Sequence, residues 1–561
     1  MNDAKLSYDH GKLLYPLLYS TIGHHLEDIT RRFPDNEAFV SVYEGIRLTY
    51  RELNRQADLL ARGFLKIGVR RGDRVGIWAI NRHEWVVTQY ATAKVGAILV
   101  NVNPAYRVHE LKYSLKQSQT QTLVLMHEFK ASKYKDLLLE VCPTLTSSQP
   151  GHLNEPDLPD LKQVVFMDGP VPGTLSYDGL MKLGEDVPEA ALRDRMAELD
   201  PDDDINIQYT SGTTGFPKGV TLSHFNILNN AHHGALNLRL TDQDRLLVPV
   251  PFYHCFGMVM SNLACMSVGA CAIIAGATFS PRETLETVEK ERCTALHGVP
   301  TMFIAELSDP EFSRFDLSSL RTGIMAGAPC PMDTMQEVMS KMHMTEVNIT
   351  YGQTEVAPAA TMTMPDDSIE HRVGSVGKVM AWQELKVIDP ASGKTVPRHV
   401  QGEICFRGYN RMSRYYNNPE ATRETIDETG WLHSGDLGTM DDEGYVKITG
   451  RIKEMVIRGG ENIYPREIEE FLRGMPELLD VYVIGVPDRK FGEELMAWVL
   501  PRNGKVLNDA ACKEFCKGKI AHYKVPRYWK FVSSTEDFPM TVTGKIQKFK
   551  MRELAVAELG I

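Results

Sequence analysis

The stretch with the most chemistry is Thr210-Ser211-Gly212-Thr213-Thr214-Gly215-Phe216-Pro217-Lys218. An apolar run, Ile205 to Tyr209, feeds into these hydroxyls, glycines and one lysine. Glycines let backbone N–H groups converge on an anion, hydroxyls add donors, and the lysine adds a point charge. A polyphosphate needs that combination. The pattern GxxxxGK[ST] cannot be threaded through these residues, which disfavours a P-loop kinase or GTPase. A plain Gly/Ser/Thr surface turn is the bland alternative, and the lysine and the preceding strand weigh against it.

Further groups follow along the chain. Tyr351-Gly352-Gln353-Thr354-Glu355 comes after a strand-like run, with a hydroxyl suited to a phosphate oxygen and a carboxylate suited to a hard cation. Asp436 ends the segment that begins at Gly430, and a single Asp after a Gly turn is ordinarily a cap or turn residue. Arg451, Lys453 and the pair Gly459-Gly460 lie together downstream, where Gly-Gly reads as a tight turn. Lys545 follows Gly544 near the C-terminus and by itself would be an exposed, solvated charge. His254 stands among aromatics in Pro251-Phe-Tyr-His-Cys-Phe-Gly257, where packing is the plain reading. No HExxH, metal-type Cys/His cluster or GxSxG elbow occurs, so zinc hydrolase and serine esterase readings lack support.

The elements that must position these residues read as α/β. Arg74 to Ile80, a helix from near His83, and Ala97 to Val102 form a strand–helix–strand unit. Short apolar runs continue at Leu123, Gln163, Leu246, Ala270, Thr294, Gly323 and Val347, between helical patterns. That alternation predicts layered, largely parallel sheets. Residues 143–162, rich in Pro, Ser, Thr, Asp and Asn, predict a surface connection separating two subdomains. After about residue 380, short strands with turn signals predict a small β-rich subdomain, and from about 454 the pattern is mixed α and β.

Composition bounds the rest. The 561 residues, 43% hydrophobic and 24% charged, suit several globular cores. A net charge of −11 argues against a nucleic-acid partner. Residues 513–552 run the other way, with ten Lys or Arg against three Asp or Glu, and could attract the phosphates of a coenzyme. No apolar run is long enough to cross a bilayer, and Leu13 to Tyr19 reads as folded protein rather than a signal peptide. Nine scattered cysteines without a CxxC pair predict reduced, mostly buried thiols and a cytoplasmic location.

Taken in order, these motifs resemble the adenylate-forming enzymes, a superfamily that includes acyl-CoA synthetases, adenylation domains of peptide synthetases and beetle luciferases. The likeness runs over nearly the whole chain. It implies a large N-terminal domain, residues 1–452, of two layered α/β subdomains plus a small β-rich one. A small mobile α+β C-terminal lid, residues 453–561, would follow, hinged at Lys453. It implies ATP, Mg²⁺ and coenzyme A. Thr210 to Lys218 would cradle phosphates, Thr354 would contact the α-phosphate, and Glu355 would bind Mg²⁺. Tyr351 would stack on adenine, with Gly327-Ala328-Pro329 as the wall behind the base. Asp436 and Arg451 would hold the ribose, Gly459-Gly460 would line the pantetheine tunnel, His254 would sit beside the acyl group, and Lys545 would be catalytic. Relatives carry Arg where this chain has Lys548, which receives no role.

Within the superfamily the chain is most similar to acyl-CoA synthetase family member 2-like enzymes. The likeness rests on Ile457 to Pro465, Gly518 to Pro526 and Gly544 to Lys550. It implies a medium-chain fatty acid, and Cys255, Met258, Met260, Met325 and Ala360 would suit an aliphatic chain. An aryl or branched-chain carboxylate CoA ligase is the same-class alternative. A catalytically inactive nucleotide-binding regulatory protein is the alternative from another class. A small-molecule carboxylic acid is the expected partner, and a homodimer is compatible with the sequence.

Overall fold

A computed structural model describes residues 5–210, 217–328, 330–458, 461–502, 505–540 and 546–561. Its contacts divide the chain into two compact units. One comprises residues 10–384 and 406–432, and the other residues 1–9, 385–405 and 433–561.

The larger unit is built on two sheets. The first runs in the order Arg414–Tyr415, Lys218–Ser223, Asp204–Thr210, Ile98–Asn101, Arg74–Trp78, Thr122–Leu125, Gln163–Phe166, Leu175–Ser176. From Asp204–Thr210 onward all neighbours are parallel, so each needs a crossover, typically helical. The helix His83–Val95 shows why periodicity is weak here. Nearly all of it is buried, because it is covered on every side, so its sequence has no polar stripe.

The second sheet holds Glu346–Gly352, Thr322–Ala326, Ala295–Leu296, Arg245–Leu247, Cys271–Ile274 and Glu37–Ser41 side by side and parallel. Antiparallel strands close both edges. One core of this sheet packs Val40, Leu247, Ile273, Met325, Val347 and Ile349 against the helices Pro281–Glu291 and Met332–Lys341. The expected layered α/β arrangement is therefore present, with strands where the apolar runs placed them.

Residues 143–162 correct one expectation. They do not separate subdomains. They follow the helix Tyr134–Val141 and complete the connection from Thr122–Leu125 to Gln163–Phe166, which are parallel neighbours in one sheet. Leu145, Leu153, Leu158 and Leu161 are buried and anchor the loop. Its polar composition marks irregular backbone, which occurs inside a domain as readily as between domains.

In the smaller unit, one sheet carries Gly402–Gly408 beside Leu432–Met440 and Val446–Arg451. A second sheet centres on the long antiparallel pair Leu478–Asp488 and Gly492–Pro501. Its middle strand is buried on both faces. Leu495, Ala497 and Val499 join Val481, Ile468 and Leu472 in one core. Met496, Trp498 and Leu500 join Met551 and Ala555 in another. The two-residue side-chain period of a strand produces this division. All nine cysteines are free thiols, and all but Cys330 are buried.

Candidate active site

In the larger unit, Asp204–Thr210 and Lys218–Ser223 form a hairpin with Thr210 directly opposite Lys218. Ser211, Gly212, Thr213, Thr214 and Gly215 lie outside the described residues. Thr210 and Lys218 are thus cross-strand partners, and opposite residues project to the same side.

Arg414–Tyr415 pairs with Lys218–Ser223 on the outer edge. Lys218 Nζ lies 4.9 Å from the centre of the Tyr415 ring, within cation–π range. The Tyr415 hydroxyl donates to Glu355 Oε1 at 2.8 Å, and Thr210 Oγ1 lies 3.5 Å from the same oxygen. Burial first, and then the Glu355 carboxylate, hold the Tyr415 phenol well above its ordinary pKa, so it remains a proton donor. Thr210 and Tyr415, far apart in sequence, therefore meet at the Glu355 carboxylate, with Lys218 against the Tyr415 ring. Tyr415 carried no motif signal.

Thr354 and Glu355 begin the short turn Thr354–Val356, with Gln353 as its N-cap, directly after Glu346–Gly352. Both are buried. The Glu355 carbonyl accepts from Met412 N, and Asn410 donates to the Val356 carbonyl, so residues 410–412 brace the turn. Gly327 and Ala328 follow the neighbouring parallel strand Thr322–Ala326 and are exposed. Gly327 has φ +89°, which favours glycine. Gly352 admits no side chain, because a Cβ there would fall 2.0 Å from the Pro358 carbonyl oxygen. Tyr351 tilts against Phe406 at 6.1 Å. Gly327, Ala328, Tyr351 and Gly352 thus stand at the carboxyl ends of adjacent parallel strands, where open α/β sheets bind ligands. Pro329 lies outside the described residues.

His254 is exposed and caps the helical turn Cys255–Gly257, its Nδ1 accepting from Phe256 N at 3.2 Å. Cys255 Sγ lies 3.7 Å from Thr354 Oγ1, and burial pushes this thiol up to about 12. The π-helix Met258–Leu263 follows, a form often found at functional sites. His297 stacks on Phe256, hydrogen-bonds the Met260 carbonyl through Nε2, and accepts from Ile324 N at Nδ1. Burial pushes its pKa down to about 4. Met325 and Ala360 are fully buried, and Met325 belongs to the sheet core described above.

In the smaller unit, Asp436 and Arg451 face each other across the antiparallel pair Leu432–Met440 and Val446–Arg451. Arg451 Nε lies 2.9 Å from Asp436 Oδ1. The turn before Asp436 is held by Gly435, whose N–H donates to Glu403 Oε1 at 3.0 Å, and by Ser434 Oγ accepting from Asp436 N. Lys453 is exposed within Ile452–Glu454. Gly459, Gly460 and Lys545 lie outside the described residues. The strands flanking the glycine pair are antiparallel, with Arg458 opposite Glu461. Met540 and Ile546, which flank the Lys545 segment, form an antiparallel bridge.

Lys548, which received no role from the sequence, is largely buried. Its Nζ lies 2.7 Å from Glu469 Oε1 and 3.1 Å from Glu454 Oε2. Burial pulls its pKa down, but the two carboxylates more than offset this and hold it above the ordinary lysine value. The basic segment as a whole proves less open than its charge count suggests. Lys524 pairs with Glu467, Arg527 with Asp488, Lys530 with Glu558 and Arg552 with Glu493. Sequence counting missed this because most of these partners come from outside residues 513–552.

Residues 26–416 match the AMP-binding enzyme family, and residues 467–545 match the AMP-binding enzyme C-terminal domain. YngI of Bacillus subtilis is 49% identical over 96% of this chain and 98% of its own length. The mitochondrial medium-chain acyl-CoA ligase ACSF2 of Danio rerio is 43% identical over 99% of this chain and 91% of its own. The crystal structure of ATP-bound MatB from Rhodopseudomonas palustris superposes with a TM-score of 0.82 at 29% identity, covering 96% of this chain and 99% of that one. The chain belongs to the AMP-binding enzymes. Within them it is an AMP-forming acyl-CoA ligase, using ATP and coenzyme A as substrates. No helix among the described residues is long and apolar enough to cross a membrane.

Proposed function

We propose that this ligase activates a medium-chain fatty acid. The carboxylate would attack the α-phosphate of ATP, forming a mixed anhydride and releasing pyrophosphate. The coenzyme A thiol would then attack the acyl-adenylate and release AMP. A free carboxylate is a poor electrophile, because it is negatively charged and its leaving group is oxide; joining it to AMP supplies a good leaving group. The medium-chain reading draws on the ACSF2 relatives, which carry that substrate class in their name.

The observation that carries the phosphate end of this reading is the meeting of Thr210, Lys218 and Tyr415 around Glu355. Glu355 offers a carboxylate, the hard oxygen ligand that Mg²⁺ takes. When bound there, Mg²⁺ would offset phosphate charge. Thr354 would donate to the α-phosphate and Lys218 would face the phosphate tail. Tyr351, with Gly327, Ala328 and Pro329, would bound the adenine. Asp436 would accept from the ribose hydroxyls while Arg451 neutralises and orients it. His254 would border the acyl group. Lys545 would place a cation between the two reacting anions, where it lowers the barrier. The division at Lys453 into residues 1–452 and a lid of 453–561 fits one lid serving both steps, Lys545 for the first and Gly459-Gly460 for the second. A homodimer and a cytoplasmic location complete the reading.

A carboxylic-acid panel with pyrophosphate release as readout, run with and without coenzyme A, tests it. Medium-chain acids should drive the fastest release, with thioester forming only when coenzyme A is present. Preference for aryl or branched acids would transfer the enzyme to those substrates. Acid-independent or absent pyrophosphate release would favour a regulatory nucleotide-binding protein.

A further inference from the structure

Three metal-ligating side chains converge in the smaller unit at a point that the reaction above does not use. Glu403 and Cys405 lie two residues apart on Gly402–Gly408, so they leave the same face of the strand. His433 stands on the adjacent strand, Leu432–Met440. Its Nδ1 lies 2.9 Å from Glu403 Oε2 and 3.7 Å from Cys405 Sγ. One ligand atom from each of the three falls within 4.8 Å of the others. Glu403 and Cys405 are buried, while His433 is part-exposed and opens a path to solvent.

We propose that Glu403, Cys405 and His433 form a binding site for one zinc-class divalent cation, separate from the carboxylate of Glu355. Imidazole nitrogen, thiolate sulfur and carboxylate oxygen are the donor types zinc takes, and three protein ligands leave a fourth position for water. With bonds of about 2.0 Å to nitrogen or oxygen and about 2.3 Å to sulfur, tetrahedral ligands stand roughly 3.3–3.6 Å apart. The two separations here, 2.9 and 3.7 Å, straddle that interval, so small side-chain movements suffice. The second oxygen of Glu403 accepts from Gly435 N, which orients the carboxylate as an outer partner orients a metal ligand. Binding would release the Cys405 thiol proton, and the imidazole of His433 would bind as its neutral form with Nδ1 free for the cation and the ring proton on Nε2.

The other three-residue group of this kind, Glu44, His83 and Glu84, differs in a decisive way. Arg82 already makes a two-pronged ion pair with Glu84, at 2.6 Å through Nε and 2.5 Å through Nη2, so a resident cation occupies that carboxylate. Among the described residues no lysine or arginine is ion-paired to Glu403, whose ion-pair partner is His433. Sequence spacing gave no sign of the site, because its ligands come from two strands joined by a long connection.

Cobalt substitution tests the proposal on the full chain after chelator treatment. One equivalent of Co²⁺ should produce a thiolate-to-cobalt charge-transfer band in the near ultraviolet and visible bands of tetrahedral cobalt, both displaced by Zn²⁺. Cys405→Ser should abolish the near-ultraviolet band. Cys255→Ser is the control, since that thiol also lies 3.7 Å from an imidazole nitrogen, and it should keep the band. No band in the native chain, a band surviving Cys405→Ser, or one lost with Cys255→Ser would overturn the proposal. Should Cys405→Ser fail to fold, thermal melts decide. Zn²⁺ should raise Tm of the native chain and not of Glu403→Gln or His433→Gln. A shift that persists in both variants would overturn the site.

Discussion

The hydroxyl of Tyr415 donates to Glu355 Oε1 at 2.8 Å while its ring lies 4.9 Å from the ammonium of Lys218. One aromatic residue thus touches both charged groups placed at the phosphate end of the site. Tyr415→Phe removes the hydrogen bond and leaves the ring. Because a hydrogen bond to a charged group contributes about 1.5–3 kcal/mol, acid-dependent ATP–pyrophosphate exchange should fall roughly tenfold or more. The Mg²⁺ concentration needed for half-maximal exchange should rise. An unchanged Mg²⁺ requirement would mean that Glu355 does not depend on Tyr415.

Arg451 and Asp436 form the corresponding pair in the smaller unit. Arg451→Ala should raise the KM for ATP roughly tenfold, by loss of a charge-assisted contact, with the KM for coenzyme A nearly constant. Arg451→Lys should recover only part of this, since lysine lacks the planar fork. Steady-state kinetics with each substrate varied in turn distinguishes these outcomes.

Lys545→Ala should abolish acid-dependent ATP–pyrophosphate exchange and spare coenzyme A transfer from a preformed acyl-adenylate. Exchange near the native rate would remove Lys545 from the first step.

Lys548 is mostly buried and pairs with Glu454 and with the buried Glu469, so Lys548→Met removes the cation that faces both carboxylates. Breaking a buried pair in this way costs about 3 kcal/mol or more. Urea unfolding followed by tryptophan fluorescence should report the loss, because Trp498 shares a core with Met551, which lies with Lys548 in the helix Lys548–Leu559. Lys548→Arg should retain most of the stability.

Acid should destabilise the larger unit through its buried imidazoles. Burial pushes His224 down to about 3 and both His232 and His297 down to about 4. Below about pH 6.5 an unfolded histidine takes up a proton that these folded ones refuse, so the unfolded state binds more protons and stability falls as the pH is lowered. The loss begins near pH 6.5 and continues toward pH 4. For His297 the cause is direct: a proton on Nδ1 would face the Ile324 N–H. Tm measured from pH 7.5 to 4.5 should fall, and His297→Asn should flatten the slope. A native Tm constant across that range would contradict neutral burial.

The amino-acid sequence by itself determined the strands, their helices and the motifs. Short apolar runs alternating with helical patterns are local signals, and Gly-, Thr- and Lys-rich loops announce phosphate chemistry by composition. The strand Asp204–Thr210 is legible as the apolar run that feeds the motif, whereas the antiparallel partner that sets Lys218 opposite Thr210 is not. What the tertiary structure decided are pairings between distant segments. Tyr415 reaches Glu355 from an edge strand, and Lys548 finds Glu454 and Glu469. Cys405 and Glu403 meet His433 across a strand boundary, where spacing along the chain is silent. The Pro- and Ser-rich stretch at 143–162 misled for the same reason. Its composition reports irregular backbone, whereas strand register alone decides whether the flanking elements share a sheet.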